Sequence, residues 1–345
     1  MKDFIKETLL FFLPVLLLSA YVAMSYSLTE GDLVKTGYFH KDNTYRKQFE
    51  EAYHTPIRHR ELSDIDTTKE TEFDILVIGD SFSVSSPAGY KNRLAQTDSV
   101  KVLGFNYKGL GDNYFDIVDG LLNGDFFDKI KIDYVLVQSV ERYFVFYGTT
   151  ANYGRSANLS QMIKERVAKK PTKPVRFSAN AILKYPYYSI IRKIKKDGLV
   201  SKVYCFDLDK DVFSGRRASQ LLVYDEDIKY FDEKNSVEKV AILNDQLNKI
   251  ANGLKERGIK LIVLPAPDKY DLYCDHIINN KQEEPLFFPI LDELPKDYIY
   301  IDSYQILKNA IANGKKDIYF ADDTHWSPWA TEIIAGEILK NMKYE

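Results

Sequence analysis

Residues 73–83 read FDILVIGDSFS. Ile75 to Ile78 is an apolar run, and Gly79-Asp80-Ser81-Phe82 stops it. A short Ile/Leu/Val run closed by glycine predicts a buried strand entering a tight turn. A serine just beyond such a strand lies at its carboxyl end, where open α/β sheets place their ligands. A helix starting there would aim backbone N–H groups at the same spot, ready for a developing negative charge. Ser81 is thus a nucleophile candidate, and it needs a base from elsewhere in the chain.

Working outward, the α/β rhythm continues. Residues 86–96 read as a helix, 100–105 (VKVLGF) as a second strand, 114–124 as a helix and 133–138 (DYVLVQ) as a third strand. Between the second strand and its helix lie Gly109 and Gly111, which permit close backbone approach to a ligand. The rhythm returns at 237–257, where Val240, Leu243, Leu247, Ile250 and Leu254 keep helical spacing before Gly258. Strands are expected at 259–264 and 298–302, helices at 304–312 and 330–342, and a short extended piece at 317–320. Strands alternating with helices predict a parallel sheet covered on both faces. Residues 143–235 break the pattern and are expected to form a mostly helical insertion, with basic stretches at Lys164–Arg176 and Ile191–Lys196.

The 345 residues are 45% hydrophobic and 28% charged, a globular rather than a disordered balance. The 25 tyrosines and 20 phenylalanines suit a sugar-handling surface, though cores and sheets use most aromatics. A net charge of −3 gives no reason to expect nucleic acid as a partner. Cys205 and Cys274 form no CxxC pair and are expected to be buried thiols.

Thr8 to Met24 carries no charge, and with Ser25 to Leu28 it reaches the roughly 20 residues needed to span a bilayer. A cleavable signal peptide wants small residues at its cleavage site. Leu18-Ser19-Ala20 and Tyr21-Val22-Ala23 fit that poorly, so an uncleaved signal anchor over residues 1–28 is expected. Its orientation would place the body outside the cytoplasmic membrane. Residues 29–72 read as a tether and leading segment that wraps the domain, with His54 and His59 solvated.

The base for Ser81 is expected near the other end of the chain, in Ala321-Asp322-Asp323-Thr324-His325-Trp326. An aspartate two or three positions before a histidine can orient the Nδ1 proton and leave Nε2 to accept a proton from serine. Ser81 and His325 would meet because loops at one edge of a parallel sheet converge.

GDSF at 79–82 and DDTHW at 322–326 resemble the first and last blocks of the SGNH (GDSL) hydrolase superfamily. The Trp after His325, the following Ser-Pro, the PAPDKY loop at 265–270 and Glu141-Arg142 resemble most closely the SGNH-like domains of alginate-type polysaccharide O-acetylation proteins. In those proteins DTHW precedes GDSF, whereas here it comes last, a layout similar to the D-alanylation protein of teichoic acid synthesis. The SGNH asparagine after the third strand is absent, and Gln138-Ser139-Val140-Glu141 stands there instead.

The resemblance implies an SGNH-like three-layer sandwich over residues 73–345, with the insertion at about 143–235 and one membrane helix before it. It implies Ser81, His325 and an aspartate as catalytic residues. D-x-x-H spacing selects Asp322 and D-x-H spacing selects Asp323, the preferred choice. Gly109 and Gly111 would serve the oxyanion hole. Trp326 would line the substrate site, and Lys269 would bind a carboxylate or orient a loop; neither a cofactor nor a metal is implied. The implied activity is transfer of an acyl group, most simply acetyl, from a donor to an exported polysaccharide, with a membrane-bound O-acyltransferase as partner. An acetyl esterase with the same residues and a non-catalytic polysaccharide-binding subunit are the rivals.

Overall fold

In the computed structural model, the structure describes residues 2–25, 31–35, 49–84, 87–97, 100–106, 109–162, 202–215, 217–281 and 283–343. Eight strands are found among them: β1 (Arg60–Glu61), β2 (Glu72–Gly79), β3 (Val102–Gly104), β4 (Lys131–Val140), β5 (Val203–Asp207), β6 (Gln220–Tyr224), β7 (Lys260–Ala266) and β8 (Ile299–Tyr300). Six of them form one sheet in the order β1-β3-β2-β4-β7-β8. Every pairing in that sheet is parallel.

The apolar runs become central strands because both faces of the sheet are covered. Their side chains alternate between two cores. Leu76 and Ile78 of β2, Val135 and Val137 of β4, and Leu261 and Val263 of β7 pack on one side. Helices Tyr114–Leu122, Val237–Lys255 and Phe287–Glu293 cover that side. Ile75, Val77, Leu136, Ile262 and Leu264 point to the other side. Helices Tyr90–Gln96, Ser303–Ala312 and Pro328–Lys343 lie there. The result is a three-layer α/β sandwich, which fits the architecture expected from the sequence motifs.

The topology decides where a ligand can bind. From β2 the chain moves to β3 on one side and then crosses back to β4 on the other. The carboxyl end of β2, which runs into Ser81, is therefore the switch point of the sheet, where neighbouring loops part and leave a crevice.

Several expectations need correction. The leading segment contributes β1, a short edge strand beside β3, and its His59 is buried rather than solvated: Nδ1 lies 3.4 Å from Asn92 Oδ1 and Nε2 3.3 Å from Glu61. The described parts of the insertion are not mostly helical. They include an antiparallel hairpin, β5–β6, whose Val203, Cys205 and Leu222 bury against Leu33 of the leading segment. Lys164–Arg176 and Ile191–Lys196 lie outside the described residues. Cys205 and Cys274 are buried and not joined in a disulfide, as expected.

Residues 2–25 form a single helix that continues through Pro14. Among the described residues, no helix is long and apolar enough to cross a membrane. In the helix 2–25, side chains are described only at Thr8 and from Leu10 to Ala20.

Candidate active site

The turn after β2 is built by Asp80. Its carboxylate accepts the Phe82 N–H at 2.9 Å, which caps the single 3-10 turn Ser81–Ser83. It also accepts the Val140 N–H at 2.7 Å, which ties the end of β2 to the end of β4. Burial pushes the Asp80 carboxyl upward, and these N–H bonds partly offset the shift. Gly79 admits no side chain: a Cβ there would meet Ser83 Oγ at 2.1 Å and Gln138 Oε1 at 2.8 Å. Those two groups belong to a buried chain in which Tyr90 OH donates to Ser83 Oγ (2.6 Å) and Ser83 Oγ donates to Gln138 Oε1 (2.6 Å). The turn uses the N–H groups of Phe82, Ser83 and Val84 internally. Among the described residues the Ser81 N–H has no partner, and Ser81 itself is exposed.

His325 reaches this turn from the loop before the final helix. Its Nε2 lies 2.7 Å from Ser81 Oγ, and its Nδ1 lies 2.6 Å from Asp323 Oδ1. The same oxygen of Asp323 accepts the His325 backbone N–H at 3.0 Å, which fixes ring and backbone together. Burial alone would depress the His325 pKa. The Asp323 hydrogen bond and charge, with Asp32 and Asp80 behind it, outweigh burial and leave it raised. Both ring nitrogens are engaged, Nε2 by Ser81 and Nδ1 by Asp323.

The geometry selects between the two aspartates. Asp323 holds His325. Asp322 is buried and turned away: its Oδ2 accepts the Gly31 N–H at 3.2 Å and its carbonyl accepts the Leu33 N–H at 3.2 Å.

Lys269 and Trp326 act beneath the surface rather than at it. Lys269 is 1% exposed, and its ammonium donates to the carbonyls of Phe320 (2.7 Å), Ala321 (3.1 Å) and Asp323 (3.1 Å). An ammonium has three N–H groups, so none remains for a substrate carboxylate. Its contacts are with the loop before the final helix. Burial pushes this lysine down to about 8, against the pull of Asp322 and Asp323. Trp326, expected to line the substrate site, is fully buried. Its indole N–H donates to the Phe82 carbonyl at 3.1 Å, and its ring meets Phe82 edge-on at 5.1 Å. Lysine and tryptophan thus clamp the histidine loop against the serine turn.

Gly109 is exposed and Gly111 half-buried, in the loop after β3, the strand beside β2. Gln138 does not stand in for the missing asparagine. It is fully buried on β4, beside Gly79 of β2, with Oε1 bonded to Ser83.

Glu141-Arg142 belongs to a buried charge cluster below this edge. Arg142 bridges Asp227 (3.0 Å) and Asp268, while Lys234 bridges Asp268 (2.6 Å), Asp271 (2.8 Å) and Glu141 (3.2 Å). Glu141 also accepts the Asp268 N–H at 2.7 Å. Burial first, then crowding by like charge, pushes Asp227 up to about 7. Burial also raises Asp271, to about 6, against the pull of Lys234. The cluster fixes Asp268, whose neighbour Lys269 holds the histidine loop. Asp227 and Lys234 escape sequence reading because nothing local marks them; only their burial does. Asp32, from the leading segment, was also missed: its carboxylate accepts the Thr324 N–H (2.9 Å) and the Thr324 hydroxyl (2.7 Å).

Residues 224–345 match the family model described as "SGNH hydrolase-like domain, acetyltransferase AlgX". This is the kind of domain that the GDSF and DTHW motifs resemble. The matched region contains Asp323, His325, Lys269 and Trp326 and begins after Ser81, so the serine's place rests on the contacts above. Comparison with curated proteins and with solved structures gave no match.

Proposed function

We propose that this chain is a membrane-anchored acyltransferase that moves an acetyl group onto a hydroxyl of an exported polysaccharide. The observation that carries the reading is the continuous contact from Ser81 Oγ through His325 to Asp323, joined to a match with an acetylation-related domain. Ser81 Oγ attacks the acyl carbonyl while its proton passes to His325 Nε2. The tetrahedral intermediate collapses as His325 returns that proton to the leaving group, which leaves an acyl-serine. A sugar hydroxyl then attacks, again with His325 as base, and the product ester departs from a regenerated Ser81. Asp323 holds the Nδ1 proton and balances the imidazolium charge. The free N–H of Ser81, with Gly109 or Gly111, would receive the oxyanion.

The anchor belongs to the same proposal. Thr8 to Met24 is uncharged, and Leu10, Phe11, Phe12, Val15, Leu16 and Leu17 are exposed on the helix. Such exposed apolar surface suits lipid, and in this proposal residues 8–28 would attach the chain to the cytoplasmic membrane with the body outside. A membrane-bound O-acyltransferase would supply acyl groups from the other side.

The test incubates the full-length chain in detergent with an activated acetyl ester, with and without a polysaccharide acceptor, beside Ser81→Ala. Wild-type-dependent acetylation of the glycan supports transfer. Acetate release without glycan modification converts the reading to an esterase, which the water exposure of Ser81 would permit. Equal behaviour of wild type and Ser81→Ala removes both.

A further inference from the structure

The leading segment enters the site from far away in sequence. Gly31 packs directly on the histidine loop, so closely that a Cβ there would lie 2.0 Å from the Asp322 carbonyl oxygen. Its N–H and that of Leu33 both bond to Asp322. Leu33, fully buried, is seated among Val203, Cys205 and Leu222 of the hairpin. Between these two anchors stands Asp32.

Asp32 touches three parts of the His325 environment. Its backbone N–H donates to Asp323 Oδ2 at 3.3 Å, the oxygen opposite the one that holds His325. Its carboxylate takes both the N–H and the hydroxyl proton of Thr324. The Thr324 hydroxyl, its proton so directed, turns a lone pair toward His325 Nδ1, 3.3 Å away. The Nδ1 proton therefore lies between Asp323 and a threonine oxygen that Asp32 has oriented. The charged groups facing the ring are Asp323 from its own loop, Asp80 from the turn after β2, and Asp32 from the leading segment. Lys269 approaches from the end of β7, engaged with the loop carbonyls. The remaining close neighbours are Ser81 Oγ and the Phe82 ring, 4.8 Å from the imidazole.

We propose that Asp32 is a positioning residue for the Ser81 site, which orients the His325 ring through Thr324 and adds negative charge that stabilises the imidazolium formed when Ser81 gives up its proton. The proposal rests on the reading of Ser81 and His325 as the reacting pair. It makes residues 31–33 of the leading segment part of that site. The direction of the His325 shift agrees with it, because burial disfavours the imidazolium and Asp32 is one of the charges that reverse this.

The experiment uses full-length chain in detergent micelles, with histidine nitrogens labelled for NMR titration and with hydrolysis of p-nitrophenyl acetate as the activity. Asp32→Asn keeps an acceptor for Thr324 and removes the charge. It should make His325 titrate at lower pH than in wild type, move the acid limb of the rate profile the same way, and lower kcat about tenfold at unchanged KM. Thr324→Val keeps the charge and removes the hydroxyl. It should lower kcat while His325 titrates as in wild type, and the double variant should lose less than the product of the two single losses. An unchanged His325 titration in a folded Asp32→Asn chain overturns the proposal, as does a loss carried entirely by KM. Should wild type hydrolyse the ester no faster than Ser81→Ala, the functional reading fails while the titration still decides the role of Asp32.

Discussion

His325 Nε2 lies 2.7 Å from Ser81 Oγ across 244 positions of sequence, and Asp323 holds the opposite nitrogen of the same ring at 2.6 Å. The contact exists because β2 and the loop before the last helix end at one edge of a parallel sheet. The two aspartates before His325 should separate cleanly. Asp323→Asn permits the wrong tautomer of His325 and should reduce ester hydrolysis by about 10³–10⁴-fold. Asp322→Asn, which loosens the bond to Gly31 and leaves the His325–Asp323 contact in place, should cost about tenfold or less. Steady-state rates of the two purified variants check this, and equal losses would contradict it.

The pH profile follows from the His325 environment. As a base His325 must be neutral, and its pKa is raised above 6.5. The acid limb of kcat/KM should therefore lie above that value and fall away as pH decreases. A limb at or below 6.5 in a pH–rate series would show that the carboxylates around the ring do not act as argued.

Lys269 gives a stability signature with a definite sign. Its folded pKa, about 8, is below the 10.5 of the unfolded chain. The unfolded state binds more protons between those values, so this group makes stability rise with pH through the window. Below about pH 8 its contribution is the full cost of burying the charge. Urea melts of wild type and Lys269→Met at pH 8 and pH 9.5 should differ in slope, with the rise smaller in the variant. The variant should also lose activity, because three loop carbonyls lose their donor.

The fold was legible in the sequence where hydrophobic period and turn chemistry agreed. Ile75–Ile78, Val135–Val137 and Leu261–Leu264 became the central strands because apolar residues on both faces require cover on both sides. Ser81, His325 and Asp323 were legible because strand-end motifs concentrate chemistry. Trp326 and Lys269 were read at the right place with the wrong exposure, since a residue beside His325 in sequence can point into the core. The β5–β6 hairpin and the contact of Asp32 with Thr324 were not legible. Both depend on packing between segments that share no local pattern.

Lys234 pairs with three buried carboxylates, Glu141, Asp268 and Asp271, and shares Asp268 with Arg142. Lys234→Met should destabilise the protein by about 3–5 kcal/mol, since removing one partner leaves buried charge uncompensated. Calorimetry checks this. A loss under about 1 kcal/mol would contradict the dependence of this cluster on Lys234.

The most direct test of the central claim is to look for the acyl group on Ser81. Full-length chain mixed briefly with an activated acetyl ester at low pH, where deacylation is slow, should carry one acetyl group. Peptide mass spectrometry should place it at Ser81, and added polysaccharide should remove it with acetyl appearing on the glycan. Acetylation found elsewhere in the chain, or found equally in Ser81→Ala and His325→Ala, would contradict the account.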